Sequence, residues 1–134
     1  MHDLAENIKF DYEYAGGTLN GSATTAVYIP MTNYDKIAFI IYTGTLTSSA
    51  SLVFQGMQRL GSGGAAKVLG AASSAYTTDD GITVVEFNAA DMDVSGGYDR
   101  IGLIATEGAS QNAVIHSIVA ARFNTRFAQA SLLS

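Results

Sequence analysis

The sequence predicts an all-β protein, a single-domain antiparallel β-sandwich of about eight strands. Short apolar runs recur along the chain, and turn signals rich in Gly, Ser, Asn and Asp separate them. A length of 134 residues is also typical of a chain with a single hydrophobic core. We therefore expect one domain over residues 1–134, in which residues 1–7 and 128–134 are flexible arms.

Each apolar run predicts one strand, and the turn signals set its ends. Asp79-Asp80-Gly81 and Ser95-Gly96-Gly97 are two such signals, and the segment from Gly16-Gly17 to Gly21-Ser22 is a third. The predicted strands are Ile8–Tyr14, Thr24–Pro30, Lys36–Thr43, Ser51–Leu60, Ala66–Ala71, Ile82–Asn88, Arg100–Thr106 and Ala113–Phe123.

Alternation within two of these strands predicts which side chains are buried. Lys36–Thr43 is apolar on both faces, which predicts a central strand. In Ala113–Phe123, strict alternation gives one face to Ile115, Val119 and Phe123 and the other to Val114, His116, Ile118 and Ala120.

Two local features are also predicted. Gly56 interrupts an apolar strand, which favours a β-bulge at that residue. Asn88–Asp93 begins with a capping-type Asn followed by acids, and this pattern predicts a short helical turn that connects two strands outside the core.

Composition excludes several classes of protein. Twelve acidic residues against 7 basic ones give a net charge of -5, so the chain lacks the basic surface of a nucleic-acid binder. Without cysteine it can form neither a disulfide nor a Cys-based zinc site. Its longest apolar run, Ile37–Tyr42, is far shorter than the ~20 residues of a membrane helix. The acidic start, Met1–Asn7, is unlike a signal peptide, so we expect synthesis in a cytoplasm and no membrane partner.

No residue pattern indicates an enzyme. There are 2 histidines, and His116 lies within a predicted strand, where a structural or interface role is expected. Asp79-Asp80 and Asp91/Asp93 could ligate calcium but also fit ordinary turns. Gly61–Gly64 lacks the Lys and Ser/Thr of a phosphate-binding loop. A glycosidase pair is possible among the acids, although the chain has no Trp to form a sugar platform. We predict no catalytic residue, no cofactor and no metal ligand.

Several segments together resemble a family. Tyr34–Gly44, Leu52–Gln55, Glu86–Asp93 with Gly96–Leu103, and Ile118–Phe123 are similar to segments of the decoration, or cement, proteins of tailed-bacteriophage heads. The resemblance covers residues 8–127 and lies in strand order and small motifs. It implies a jelly-roll-like β-sandwich and a non-enzymatic virion protein. Such a protein is made in the host cytoplasm and binds the capsid surface as a dimer or trimer, where it stabilises the head by bridging major capsid subunits.

The last strand and the C-terminal segment are the predicted contacts with the major capsid protein. An Arg-Phe pair repeats at 122–123 and 126–127, as in an arm that orders on a neighbour. The predicted contact residues are Val114, His116, Ile118, Ala120, Arg122, Arg126 and Phe127. Three alternatives stay open: a tail or adaptor component of the virion, a carbohydrate-binding module that uses exposed tyrosines, and an enzyme with His116 and an Asp in a pocket.

Overall fold

The computed structural model describes residues 8–14, 16–21, 23–32, 34–47, 49–61, 65–93, 95–108 and 110–125. Nine strands and one short 3-10 turn make up the regular structure of these residues. No helix among them has the length and apolar character needed to cross a membrane. The strands are β1 (Lys9–Tyr14), β2 (Gly17–Asn20), β3 (Ala23–Pro30), β4 (Tyr34–Leu46), β5 (Leu52–Leu60), β6 (Lys67–Leu69), β7 (Ile82–Asn88), β8 (Tyr98–Glu107) and β9 (Asn112–Thr125), and the turn is Ala89–Asp91.

The strands form two antiparallel sheets that pack face to face. Sheet A has five strands in the order β1-β9-β4-β7, with β2 pairing along the same edge of β9 as β1. Sheet B has four strands in the order β3-β8-β5-β6. The predicted all-β sandwich is confirmed, and β4 lies inside sheet A as its two apolar faces predict.

The pairing is that of a jelly roll. Antiparallel partners are nested along the chain: β9 pairs with β1 and β2, β8 with β3, β7 with β4, and β6 with β5. The chain therefore folds as one long hairpin whose tip is β5–β6. Rolling this hairpin brings β9 onto β4 and β8 onto β5, which completes the two sheets. This is the jelly-roll-like topology that the family resemblance implies.

The core lies between the sheets and is built from the inward-facing residues of the central strands. Sheet A contributes the fully buried side chains of Ile37, Phe39, Ile41, Ile115 and Ile118, and sheet B those of Leu52, Ile101 and Leu103. Burying one such side chain contributes about 1.5–3 kcal/mol, so these residues contribute much of the free energy that holds the two sheets together.

Strand β2 is absent from the sequence prediction, which placed a turn between Gly16-Gly17 and Gly21-Ser22. The chain does bend at Gly16, where φ is +108° and a side chain would collide with the carbonyl oxygen of His116. It then continues along the same edge of β9, from the pair Gly17–Ile115 to the pair Asn20–Asn112. The glycine signal marks a kink between two strand segments, and the turn follows only at Gly21.

Two further local predictions need correction. Gly56 is not at a bulge, because it pairs in register with Leu103 on β8 and with Leu69 on β6. It is a glycine because the ring of Phe87 fills the space where a side chain would begin. The predicted helical turn is present at Ala89–Asp91, but Asn88 makes no capping hydrogen bond through its side chain, and Ala89 is buried in the core.

Candidate binding surface

The side of sheet A that faces away from sheet B presents an apolar surface, which we call the outer face. Residues that pair directly across antiparallel strands point to the same side of the sheet. Alternate residues of β4 point outward, since Ile37, Phe39 and Ile41 point into the core. The register across β9, β4 and β7 aligns the outward residues in two rows, Val119, Ile40 and Val84, then Ser117, Tyr42 and Ile82.

The part of the outer face nearest β7 contains three exposed large hydrophobic residues. Ile82 is 63% exposed, Val84 52% and Tyr42 44%. Ile82 pairs directly with Tyr42, and Val84 pairs with the half-buried Ile40, so the four side chains are adjacent. Contiguous exposed apolar groups of this kind mark interaction surfaces on proteins that are otherwise polar outside.

His116 extends this surface onto β9. Its exposed ring packs edge to face against Tyr42, with the ring centroids 5.2 Å apart. The neighbouring Gly44 leaves the space for the imidazole, because a β-carbon at Gly44 would lie 2.8 Å from His116 Nε2. Val114 is half-buried beside the same glycine. The outer face therefore combines aliphatic side chains with an aromatic pair.

The prediction that Val114, His116, Ile118 and Ala120 share one face is wrong. Ile118 and Ala120 are fully buried between the sheets, whereas His116 is exposed and Val114 half-buried on the outer face. The cause is a bulge in β9. Tyr42 pairs with Ser117 and Thr43 with Ile115, so His116 is the extra residue and the alternation reverses beyond it.

Arg122 closes one end of the sandwich. Its guanidinium lies 4.8 Å from the centroid of the Tyr34 ring and donates a 2.9 Å hydrogen bond to the carbonyl of Pro30. The side chain therefore ties the end of β9 to the connection between β3 and β4. The other two predicted contact residues of this segment, Arg126 and Phe127, lie outside the described residues. A contact role for Val114, His116 and Arg122 stays a prediction.

The outward side of sheet B mixes polar and apolar side chains. Its partly exposed residues include Val53, Met57 and Ile104 as well as Gln55 and the directly paired Arg59 and Arg100. The guanidinium of Arg59 lies 5.4 Å from the centroid of the Tyr28 ring. Val68, on the short strand β6, is 54% exposed. Among the described residues, three of the exposed large hydrophobic side chains, Tyr42, Ile82 and Val84, therefore lie together on the outer face, and one, Val68, lies on sheet B.

One member of each acidic pair holds a loop in place through hydrogen bonds. Asp79 accepts a 2.8 Å hydrogen bond from the backbone N–H of Leu46. Asp93 accepts bonds from Lys67 Nζ at 2.7 Å, the Gly96 N–H at 3.0 Å and the Ser95 hydroxyl at 3.1 Å. The bond from Lys67, with those from Gly96 and Ser95, holds the pKa of Asp93 below its ordinary value. The same bond raises the pKa of Lys67.

Glu107 is a buried carboxylate at the end of β8. Its Oε2 accepts hydrogen bonds from the Gly21 N–H at 2.7 Å and the Gln111 N–H at 3.1 Å. These bonds link the β2–β3 connection to the β8–β9 connection at one end of the sandwich. Charge-assisted bonds to two backbone groups account for a carboxylate at a fully buried position.

An open groove of about 460 Å³ runs along the side of the sandwich next to β7. It lies between the edge of sheet A and the extended segment Ser73–Tyr76, which is tied to β5 through the bridge from Tyr76 to Leu52. Among the described residues of its lining, Glu86 is the one titratable carboxyl group, and His116 does not line it. In the part of the chain that the structure describes, no three His, Asp or Glu residues are grouped closely enough to hold a metal ion.

No protein-family model and no curated protein matches the sequence. The fold is similar to that of a viral chain, in the structure of the infectious bursal disease virus Gx strain, with a TM-score of 0.45 and 9% sequence identity. The match covers 89% of this chain and 32% of the viral chain, so this protein spans about a third of the length of that chain.

Proposed function

We propose that the protein is a non-enzymatic structural component of a bacteriophage virion. Specifically, it is a decoration protein that binds the outside of the assembled head, with the major capsid protein as its partner. The observation that carries this proposal is the exposed apolar and aromatic outer face around Tyr42 and His116. The resemblance of the sequence to decoration proteins supports it, as does the jelly-roll topology.

The grouping of exposed large hydrophobic residues on the outer face indicates how the protein attaches. Burial of the outer face against a shell removes Tyr42, Ile82 and Val84 from water, while the arginine-bearing side of sheet B stays in solvent. Apolar surface contributes about 25 cal/mol per Å² buried, and the quality of packing at the shell decides how much of this contribution becomes affinity.

The proposed mechanism is mass action on the assembled state. A protein that binds neighbouring shell subunits at once stabilises the lattice over its separated parts. A homo-oligomer presents several copies of the outer face together. Once one copy is bound, the others bind at a high effective concentration, so individually weak contacts give a high overall affinity.

Co-sedimentation with shells from the source virus tests this proposal. The protein is mixed with assembled heads and, separately, with unassembled major capsid protein. We expect saturable binding to the heads, weaker binding to the free subunits, and a higher melting temperature of the decorated heads. Binding to isolated tails and not to heads would reject decoration and assign the protein to the tail. Absence of binding to any virion part would overturn the virion role.

A further inference from the structure

Strand β7 is the outermost strand of sheet A next to β4. All seven of its residues pair with β4 in an unbroken register, from Ile82–Tyr42 to Asn88–Lys36. Among the described strands it has no partner on its other side. Along most of β7, therefore, backbone N–H and C=O groups on the free side are available to another strand.

The other edges of the two sheets carry features that discourage pairing. Strand β1 contains Lys9, Asp11 and Glu13 and has a register shift. Strand β3 has a register shift and ends at Pro30. Strands β2 and β6 are only four and three residues long. Charges, bulges, proline and shortness are the means by which natural sheets prevent edge-to-edge association.

Strand β7 has none of these features apart from one charge, that of Glu86. Among the described residues, its outward side chains Ile82 and Val84 are the two most exposed large hydrophobic side chains of the outer face, at 63% and 52%. On its inward side, Thr83 and Val85 line the open groove of about 460 Å³. An added strand would place its own outward side chains beside Ile82 and Val84 and would lie at the mouth of the groove, while the outer face stays open.

We propose that β7 is a dimerisation edge, which pairs antiparallel with β7 of a second copy of this chain around a two-fold axis. The two A sheets then form one continuous sheet with one continuous outer face. The inference rests on the homo-oligomer of the proposed function, and it adds the surface and the symmetry. A pair centred on Val84 places Val84 opposite its own copy and Ile82 opposite the stem of Glu86.

The charges of this segment fit an antiparallel pair and oppose a parallel one. In the pair centred on Val84, the two Glu86 residues are four positions apart along the strand, about 13 Å at ~3.3 Å per residue. Asp80 then lies opposite Asn88, and Asp79 opposite Ala89, so no acid faces another acid. A parallel pair would place the two Glu86 side chains about 4.8 Å apart, with direct repulsion.

Sedimentation velocity of the full chain at increasing concentration tests the pairing, with two matched variants. Val84→Asp places a charge on the free edge, and Val68→Asp places the same charge at a site of equal exposure on sheet B, since Val84 is 52% and Val68 54% exposed. Thermal unfolding checks that both variants fold, and Ile82→Asp replaces Val84→Asp if that variant does not.

We expect a wild-type species of twice the 14.0 kDa chain mass and an unchanged dimer for Val68→Asp. For Val84→Asp we expect a dissociation constant at least about tenfold higher, from the lost apolar contact and the added repulsion.

A monomer at all concentrations, a trimer, or equal dimerisation of Val84→Asp and Val68→Asp would overturn the proposal. A wild-type monomer whose β7 amides become protected from hydrogen exchange only on heads would assign the edge to the shell protein instead. Co-sedimentation of the wild-type protein with heads separates the two proposals. If the wild type binds heads but stays monomeric, the dimer edge fails and the decoration role stands. If the wild type dimerises and binds no heads, the decoration role fails and the edge stands.

Discussion

Tyr42 and His116 pack edge to face across β4 and β9, with ring centroids 5.2 Å apart. The contact exists because β9 has one extra residue at this point, so that His116 is turned outward while Ile118, two residues further on, points into the core. A bulge thus joins an imidazole to the exposed apolar row of the outer face. Bulges commonly redirect a side chain at functional sites in this way.

The packing of Phe87 onto Gly56 predicts a strong dependence on the size of residue 56. Gly56→Ala places a methyl group within the volume of the Phe87 ring and near the Leu69 carbonyl. We expect a loss of about 1–3 kcal/mol in the free energy of unfolding, as for other overpacked cores. Chemical denaturation measures it. In the double variant with Phe87→Leu the two effects should be less than additive. Strict additivity would show that the ring is not what excludes the side chain.

The buried polar side chain of Glu107 predicts a second effect on stability. Glu107→Ala removes the acceptor of the Gly21 and Gln111 N–H groups at a buried position. Hydrogen bonds to a charged group contribute about 1.5–3 kcal/mol, so we expect a destabilisation of that order in urea unfolding. Asp91→Ala, at an exposed site in the 3-10 turn, is the control and should change stability by less than about 0.5 kcal/mol. Equal effects of the two substitutions would contradict the role given to Glu107.

The ion pair between Lys67 and Asp93 predicts a dependence of stability on acid. The pKa of Asp93 is lowered in the folded protein, so the unfolded state binds its proton first. The stabilisation is present above the ordinary carboxyl pKa and is lost as the pH falls through the lowered value. Wild-type protein should therefore lose more stability than Asp93→Asn between about pH 6 and about pH 3. Thermal unfolding across this range measures the difference. Parallel pH profiles for the two proteins would contradict this prediction. They would show that the ion pair does not stabilise the fold, as is the case for many exposed pairs.

Most of the sandwich could be predicted from the sequence because its strands are bounded by local turn chemistry. The turn signal Asp79-Asp80-Gly81 precedes β7, and Asn88 is its last residue, so the predicted range Ile82–Asn88 matches the strand. The central place of β4 follows from its two apolar faces. The strand β2 could not be predicted, because the glycines around it are typical of a turn. Only the pairing with β9 shows that this segment is extended.

The outer face was harder to predict than the fold. The bulge at His116 depends on how β9 pairs with β4 and on the space beside Gly44, and neither is visible in the local alternation of β9. This is why Ile118 and Ala120 were assigned to the wrong side. The exposure of Ile82 and Val84 follows from the position of β7 at the edge of sheet A, which the residues of β7 do not indicate by themselves.

Binding of two matched variants to heads tests the central claim most directly. Tyr42→Asp alters the outer face, whereas Val68→Asp alters an exposed apolar residue of sheet B. Sedimentation of the free proteins confirms that both keep the wild-type oligomeric state. We predict that Val68→Asp binds heads as wild type does and that Tyr42→Asp binds at least about tenfold more weakly, a loss of about 1.4 kcal/mol or more. Wild-type affinity of Tyr42→Asp for the heads would contradict the claim that the outer face is the surface of attachment.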